Sequence, residues 1–310
     1  MKVTVLTGGV GGAKLVLGLT SVLPAAQITA IVNTGDDFVH LGLPISPDID
    51  TLLYTLAGKS DLERGWGRGG ETWSFMAAVR DLGGPGWFNL GDGDLALHVL
   101  RLAAFARGDS LSQVTTAFAR AWGLGATILP MSDDPVATLV DTDDGRLSFQ
   151  EYFVARQCAP LLRGVSFGGA DTARPGPGVL DAIAGADHIL ISPSNPWLSV
   201  DPILAVPGVR DALSAAAAPV VAVSPLIAGQ AVKGPTAKLM AELGLPLTNA
   251  SIAVHYAGLI DGLLIDSGDD AEGVAVPVAR TATLMRSLED RVRVARSALD
   301  LAGALTIGAT

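Results

Sequence analysis

Thr7-Gly8-Gly9-Val10-Gly11-Gly12-Ala13-Lys14 lies between an apolar strand and an apolar helix, and its reading decides the fold. Val3-Thr4-Val5-Leu6-Thr7 is β-branched and compact, the composition of a strand buried on both faces of a parallel sheet. Leu15 to Leu23 is apolar and helix-compatible. Four glycines in five positions allow positive φ and bring a ligand close to bare amides, and a helix starting just after them aims its free N–H groups and positive dipole end at the same spot. That is an anion site. It matches neither common phosphate fingerprint: as G-x-G-x-x-G from Gly9, the third glycine falls on Lys14. As a P-loop from Gly8, the final triplet becomes Ala13-Lys14-Leu15, without the hydroxyl that meets magnesium. A tight turn with no ligand is the plainer alternative; the glycine density and the adjacent lysine favour phosphate.

Ile28-Thr29-Ala30-Ile31-Val32-Asn33 reads as a second buried strand running into Thr34-Gly35-Asp36-Asp37. A right-handed β-α-β unit of this length places Asp36 and Asp37 at the same sheet edge as the glycine loop. Ser46-Pro47-Asp48-Ile49-Asp50-Thr51 follows, so Asp36, Asp37, Asp48 and Asp50 fall close together in the chain. Hard oxygen ligands beside phosphate are how magnesium is usually held. Helix capping is the competing account, with Asp48 or Asp50 as an N-cap before an apolar run. Capping is expected to explain one or two of the four, leaving others for a metal.

Bulk properties bound the partners. The chain has 310 residues, and 49% hydrophobic against 17% charged residues is enough for a sizeable core. A formal net charge of -10 argues against nucleic acid and anionic membrane surfaces. An anionic substrate then needs local positive potential or a divalent cation. The single cysteine, Cys158, excludes an internal disulfide, suits a reducing cytoplasm and reads as a small buried apolar side chain. The N-terminus is not read as a signal peptide, because the glycine cluster and Lys14 interrupt its apolar run. No segment is apolar enough for a span; the nearest, Ala215 to Gly229, is broken by Pro219, Ser224 and Pro225, and a soluble cytoplasmic protein is expected.

Strand–helix alternation stops over residues 59–178, read as an inserted lobe in a core made of 1–58 and 179–310. The lobe holds Trp66, Trp73, Trp87 and Trp122, which could wall a planar ligand or pack its own small core. After Leu90-Gly91-Asp92 comes a helical pattern with Leu95, Val99 and Leu102 on one face and His98 three residues from Arg101. Asp141-Thr142-Asp143-Asp144-Gly145, between two alternating segments, reads as a hairpin turn in preference to a calcium loop. Arg174-Pro175-Gly176-Pro177-Gly178 reads as the connector back. Strands are then expected at 188–192, 220–224, 252–255 and 263–266, and an amphipathic closing helix from Leu284 to Leu305. The expected fold is Rossmann-like α/β: an open, mostly parallel sheet with helices on both faces and a mainly helical insertion carrying a β-hairpin. Ligands of such sheets sit beyond the carboxyl ends of the strands. The glycine loop, the aspartates, Ser192-Pro193-Ser194-Asn195-Pro196 and Ser224 to Gly229 should therefore converge on one cleft.

The glycine loop ending in Lys14, Asn33-Thr34 with its acidic pair, Ser46 to Thr51, Leu90-Gly91-Asp92, Leu129-Pro130-Met131-Ser132-Asp133-Asp134-Pro135, Ser194-Asn195-Pro196 and Gly234-Pro235-Thr236-Ala237-Lys238-Leu239-Met240 together resemble the 2-phospho-L-lactate transferase family of coenzyme F420 biosynthesis. The resemblance runs in order from the first strand to Met240. It implies a magnesium-dependent transfer of a phospho-acid from its guanosine diphosphate conjugate to the terminal ribityl hydroxyl of the deazaflavin Fo, releasing GMP. The acid could be 2-phospho-L-lactate, phosphoenolpyruvate or 3-phosphoglycerate. By the same resemblance Gly8, Gly9, Val10, Gly11, Gly12, Lys14, Ser194 and Asn195 would hold the nucleotide, and Asp37 and Asp50 would be the metal-binding and catalytic carboxylates, orienting the acceptor hydroxyl or taking its proton. Asp50, Trp87, Asn89 and His98 would face the deazaflavin, although Asn89 stands where the family often carries a basic residue. A homodimer is expected. Two other readings compete: a nucleotide-sugar-binding regulator of carbon metabolism on a similar core, which fits the Leu-Gly-Asp and Pro-Met-Ser-Asp-Asp-Pro segments less well, and an NAD-dependent dehydrogenase, which Lys14 disfavours.

Overall fold

The structure, a computed structural model, describes residues 1–231 and 234–308. Seven strands form the central sheet: β1 (Val3–Thr7), β2 (Ile28–Val32), β3 (Thr127–Pro130), β4 (His188–Ile191), β5 (Val220–Val223), β6 (Gly262–Asp266) and β7 (Val278–Thr281). Their order is β7-β6-β5-β4-β1-β2-β3, and every pairing is parallel. The chain winds outward from β1 through β2 to β3, then returns to β4 on the other side and winds away through β7. The direction reverses between β1 and β4, so this doubly wound sheet has its crevice where the glycine loop leaves β1.

Side chains alternate across the sheet and feed two cores. Leu6, Ile31, Ile191, Ala222 and Ile265 point to one face; Val5, Ala30, Leu190, Val221 and Leu264 point to the other. The second face is covered by helix α1 (Gly9–Thr20), by α2 (Pro47–Leu56) and by the terminal helix Leu288–Gly308, through Leu15, Leu52 and Ala298 among others. Central strands β1, β4, β5 and β6 are buried at every residue, which is why they read as unbroken apolar runs.

Two expectations need correction and a third holds. Thr127–Pro130 lies inside the segment read as an insertion, yet it pairs with β2 as the sheet edge. The lobe is therefore two excursions, one before β3 and one after it. Residues 252–255 are not a strand but part of the helix Asn249–His255, started by the Thr248 hydroxyl accepting from Ser251 N at 3.2 Å. The hairpin at Asp141–Gly145 is present, with a third antiparallel strand, Leu162–Gly168, completing a small sheet.

The first excursion carries the hairpin Phe38–His40/Leu43–Ile45 and helices α3 (Ser74–Asp81), α4 (Asp92–Ala106) and α5 (Leu111–Ala121). Its own core is small: Ile45, Met76 and Leu90, flanked by Phe38, Phe75 and Phe88. α4 is turned relative to its expected apolar face. Val99 and Leu102 are 50% and 41% exposed, while Leu97, His98, Arg101 and Ala104 are buried. A buried ionic network, described next, is what the helix presents inward.

Candidate functional site at the sheet switch point

Each glycine of the bend after β1 has a local reason. Gly9 sits at φ +62°, a left-handed conformation that costs an L residue about 1–2 kcal/mol. A Cβ on Gly12 would fall 1.9 Å from Thr7 Oγ1, and one on Gly11 would fall 2.8 Å from the Pro193 carbonyl oxygen. The bend is thus pressed against the loop following β4. Ser194 locks the two together: its hydroxyl donates to the Gly8 carbonyl, lies 2.8 Å from Ser192 Oγ, and is 3.4 Å from Gly8 N. Asn195 is committed to structure as well. Its Oδ1 accepts from Trp197 N and Leu198 N, and its Nδ2 donates to Thr236 Oγ1 at 3.0 Å, joining the Ser-Asn-Pro segment to the Gly234–Met240 segment. Lys14 is half-buried in the second turn of α1.

The four carboxylates gather opposite. Asp48, in the first turn of α2, reaches the bend directly: a Cβ on Gly8 would lie 2.6 Å from Asp48 Oδ2, and Gly9 N donates to this carboxylate. Asn33, fully buried at the end of β2, donates to Asp48 Oδ2 at 3.0 Å and accepts from Gly35 N at 2.8 Å. Neither Asp48 nor Asp50 is the cap of α2; Ser46 holds that position, and its hydroxyl donates to Asp37 Oδ2 at 2.7 Å. Asp36 is 6% exposed. Oδ1 of Asp36 and Oδ1 of Asp37 are buried with no hydrogen-bond partner.

Crowding acids in a desolvated corner disfavours their charged forms. Burial, then the Asp48 and Asp37 charges, push Asp36 well above the ordinary carboxylate range. Burial does the same to Asp37, against the Ser46 hydrogen bond and the Arg101 charge. Asp48 rises to about 6 through burial, opposed by Asn33 and the Gly9 amide. Burial is the first cause of all three shifts.

Asp50 has a different environment. Both its oxygens take hydrogen bonds from the guanidinium of Arg101, which is 1% exposed. Burial pulls the Arg101 guanidinium down, but the Asp50 charge and hydrogen bonds outweigh it and hold it above its ordinary value. Arg101 Nη1 also meets the Pro44 carbonyl and His98 Nδ1, each at 3.2 Å. His98 Nε2 is 3.3 Å from Asp94 Oδ2, and Tyr54 donates to the other oxygen of Asp94.

The residues expected to face a flat ring are therefore divided. Trp87, 38% exposed, stands in an aromatic cluster with Phe38, Phe88 and His40, the last ring centroid 5.1 Å away. Asn89 is exposed and accepts from Arg80 Nη1 at 3.2 Å. His98 is 1% exposed and belongs to the buried ionic network, away from any open surface. Sequence reasoning placed Arg101 beside His98 but gave it no role, and missed Tyr54 and Asp94. The available signal was the spacing of Asp94, His98 and Arg101 on one face of a helix. Among the described residues, no group of three or more His, Cys, Asp or Glu side chains could by itself hold a metal ion, and no helix is long and apolar enough to cross a membrane.

A doubly wound sheet with a glycine bend at its switch point and buried carboxylates against that bend belongs to the α/β proteins that take ligands at this edge. The model of the family described as 2-phospho-L-lactate transferase CofD matches residues 3–295. A phosphoenolpyruvate transferase of Kitasatospora aureofaciens is 46% identical over 97% of this chain and 98% of its own length. One from Mycolicibacterium smegmatis is 40% identical, covering 98% and 99%. A crystal structure of a UPF0052 family member from Bacillus halodurans superimposes with a TM-score of 0.63 at 18% identity, covering 96% of this chain and 98% of that one, a likeness of fold. The chain belongs to the 2-phospho-L-lactate transferase CofD family, and is a phospho-acid transferase of coenzyme F420 biosynthesis.

Proposed function

We propose that the protein transfers an enolpyruvyl phosphate group from its guanosine diphosphate conjugate to the terminal hydroxyl of the deazaflavin Fo, releasing GMP. The observation that carries this reading is the contact between Asp48 and the Gly8–Gly9 bend, which sets a carboxylate corner against the amides of α1. The choice of acid follows the names of the relatives that span the whole chain.

Magnesium fits that corner. Two buried carboxylate oxygens lack partners, three acids are raised chiefly by burial, and magnesium usually needs only one or two carboxylates beside substrate phosphates. Asp37 and Asp48 would hold it; Asp50, expected as a second ligand, already has both oxygens on Arg101. When bound, the ion would offset charge on the diphosphate oxygens. The chain's own work is positional. Amides at Val10 to Gly12 receive the diphosphate, those of Gly8 and Gly9 being taken by Ser194 and Asp48, and the bend is held by the braces from Ser194 and Asn195. Asp50 lines the Fo hydroxyl up with the phosphorus that bears the acid and takes its proton as the new phosphorus–oxygen bond forms, while the phosphorus–oxygen bond to GMP breaks and GMP leaves with the electron pair. Such a transition state leaves little covalent work to the protein, so orientation dominates. Trp87 and its neighbours flank the ring.

Mass spectrometry of the products formed from Fo with guanylated phosphoenolpyruvate, 2-phospho-L-lactate or 3-phosphoglycerate tests this. GMP and an enolpyruvyl-phospho adduct of Fo are expected, formed fastest from the first donor. Transfer from none of the three, with a melting shift produced by a uridine sugar or NAD instead, rules the reading out.

A further inference from the structure

Arg101 joins four pieces of the chain. Its guanidinium meets Asp50 of α2 through both nitrogens, the Pro44 carbonyl of the hairpin Phe38–Ile45, and His98 one turn back on α4; it also lies over the Phe118 ring of α5, 5.9 Å from the centroid. A second tie runs parallel, since Tyr54, one turn beyond Asp50, donates to Asp94, one turn before His98. α4 is thus pinned to α2 at two levels. The same hairpin carries Phe38 and His40, which pack on Trp87.

Stability alone does not account for this arrangement. A buried ion pair of this kind can often be exchanged for apolar side chains with no loss of stability. A bidentate guanidinium–carboxylate pair instead fixes the plane of the carboxylate and the register of the helices that carry it. Asp50 is adjacent to the raised carboxylates through Ser46, whose carbonyl accepts from Asp50 N at 2.9 Å and whose hydroxyl donates to Asp37.

We propose that Arg101 is a positioning residue for the transfer: through Asp50 and the Pro44 carbonyl it sets the acceptor side of the site against the glycine bend, and leaves cation binding to the other carboxylates. This rests on the function proposed above and adds a residue to it. The test uses the full-length protein, the substrates Fo and guanylated phosphoenolpyruvate, and the variants Arg101→Gln, Arg101→Lys, Asp50→Asn and Asp50→Asn/Arg101→Gln. Arg101→Gln should lower kcat/KM for Fo by about 10²-fold, the loss expected when a reactant is misplaced by ~1 Å. GDP affinity without added magnesium should stay within about twofold, because Arg101 makes no contact with the glycine bend. Arg101→Lys should recover only part of the loss, one ammonium being unable to span both Asp50 oxygens and Pro44. The double variant should be no worse than Asp50→Asn alone, since Arg101 acts through Asp50. If Arg101→Gln does not fold, the double variant, which leaves no unpaired buried charge, carries the test by the same kinetic and binding readouts. Wild-type kinetics for Fo in either variant, or an equal loss of GDP and Fo binding, overturns the inference. A wild-type protein that transfers nothing to Fo overturns the function itself, so the two failures are distinct.

Discussion

Replacing Asp48 by Asn should make the free protein more stable at neutral pH and less able to bind its nucleotide. Asp48 is held with a pKa of about 6 against an ordinary 3.8, mainly because burial penalises the charged form. The folded state then binds more protons than the unfolded chain between those values, so stability falls as pH rises through them and the full penalty is present above about pH 7. At 1.36 kcal/mol per pH unit the gap corresponds to about 3 kcal/mol. An Asn cannot accept from both Asn33 and the Gly9 amide as a carboxylate does, which costs about 1 kcal/mol for one lost hydrogen bond. Urea denaturation of the free protein should show Asp48→Asn more stable by about 2 kcal/mol at pH 7.5, and equal or slightly less stable at pH 4.5, where the native carboxyl is protonated. The same variant should lose most of the melting shift that GDP with magnesium gives the wild type. An effect of the same sign and size at both pH values would refute the reasoning, because it would mean that Asp48 is not buried against its charge.

Two further outcomes follow from the geometry. Gly12→Ala should cost about 3 kcal/mol or more, since its Cβ would overlap Thr7 Oγ1, whereas Gly9→Ala, with nothing nearer than 3.9 Å, should cost only the ~1–2 kcal/mol of its left-handed φ; urea titrations of the pair check the order. Trp87→Ala should raise the KM for Fo about tenfold with GDP affinity unchanged, from the loss of ~1.4 kcal/mol of ring stacking, read by steady-state kinetics.

What could be read from the sequence, and what could not, divides along physical lines. β1, β2, β4, β5 and β6 were legible because a parallel strand buried on both faces must be a continuous β-branched or aliphatic run. The glycine bend was legible because only glycine fits at Gly12. Edge strands β3 and β7 have four residues each and expose part of their length, so neither announces itself. Ile252 to His255 is too short a run for its period to be read, and the decisive signal lay before it, in the Thr248 cap. The inward face of α4 was misread for a deeper reason. Hydrophobic periodicity assumes that helices bury apolar residues, and here His98 and Arg101 go inside because Asp50 and Asp94 are there to receive them. The same partner decides the fate of the acids: four aspartates look alike in the chain, and of these Asp50 takes the hydrogen bonds of the Arg101 guanidinium on both oxygens.

The most direct test of the central claim, that a divalent cation bridges the carboxylate corner and a diphosphate on the glycine bend, is Mn2+ binding followed by electron paramagnetic resonance with and without GDP. The account predicts tight Mn2+ binding only when GDP is present, weakened at least about tenfold in Asp37→Asn, because the ion needs both phosphate and carboxylate oxygens. GDP binding that is indifferent to chelators, together with unchanged Mn2+ affinity in Asp37→Asn, would contradict it.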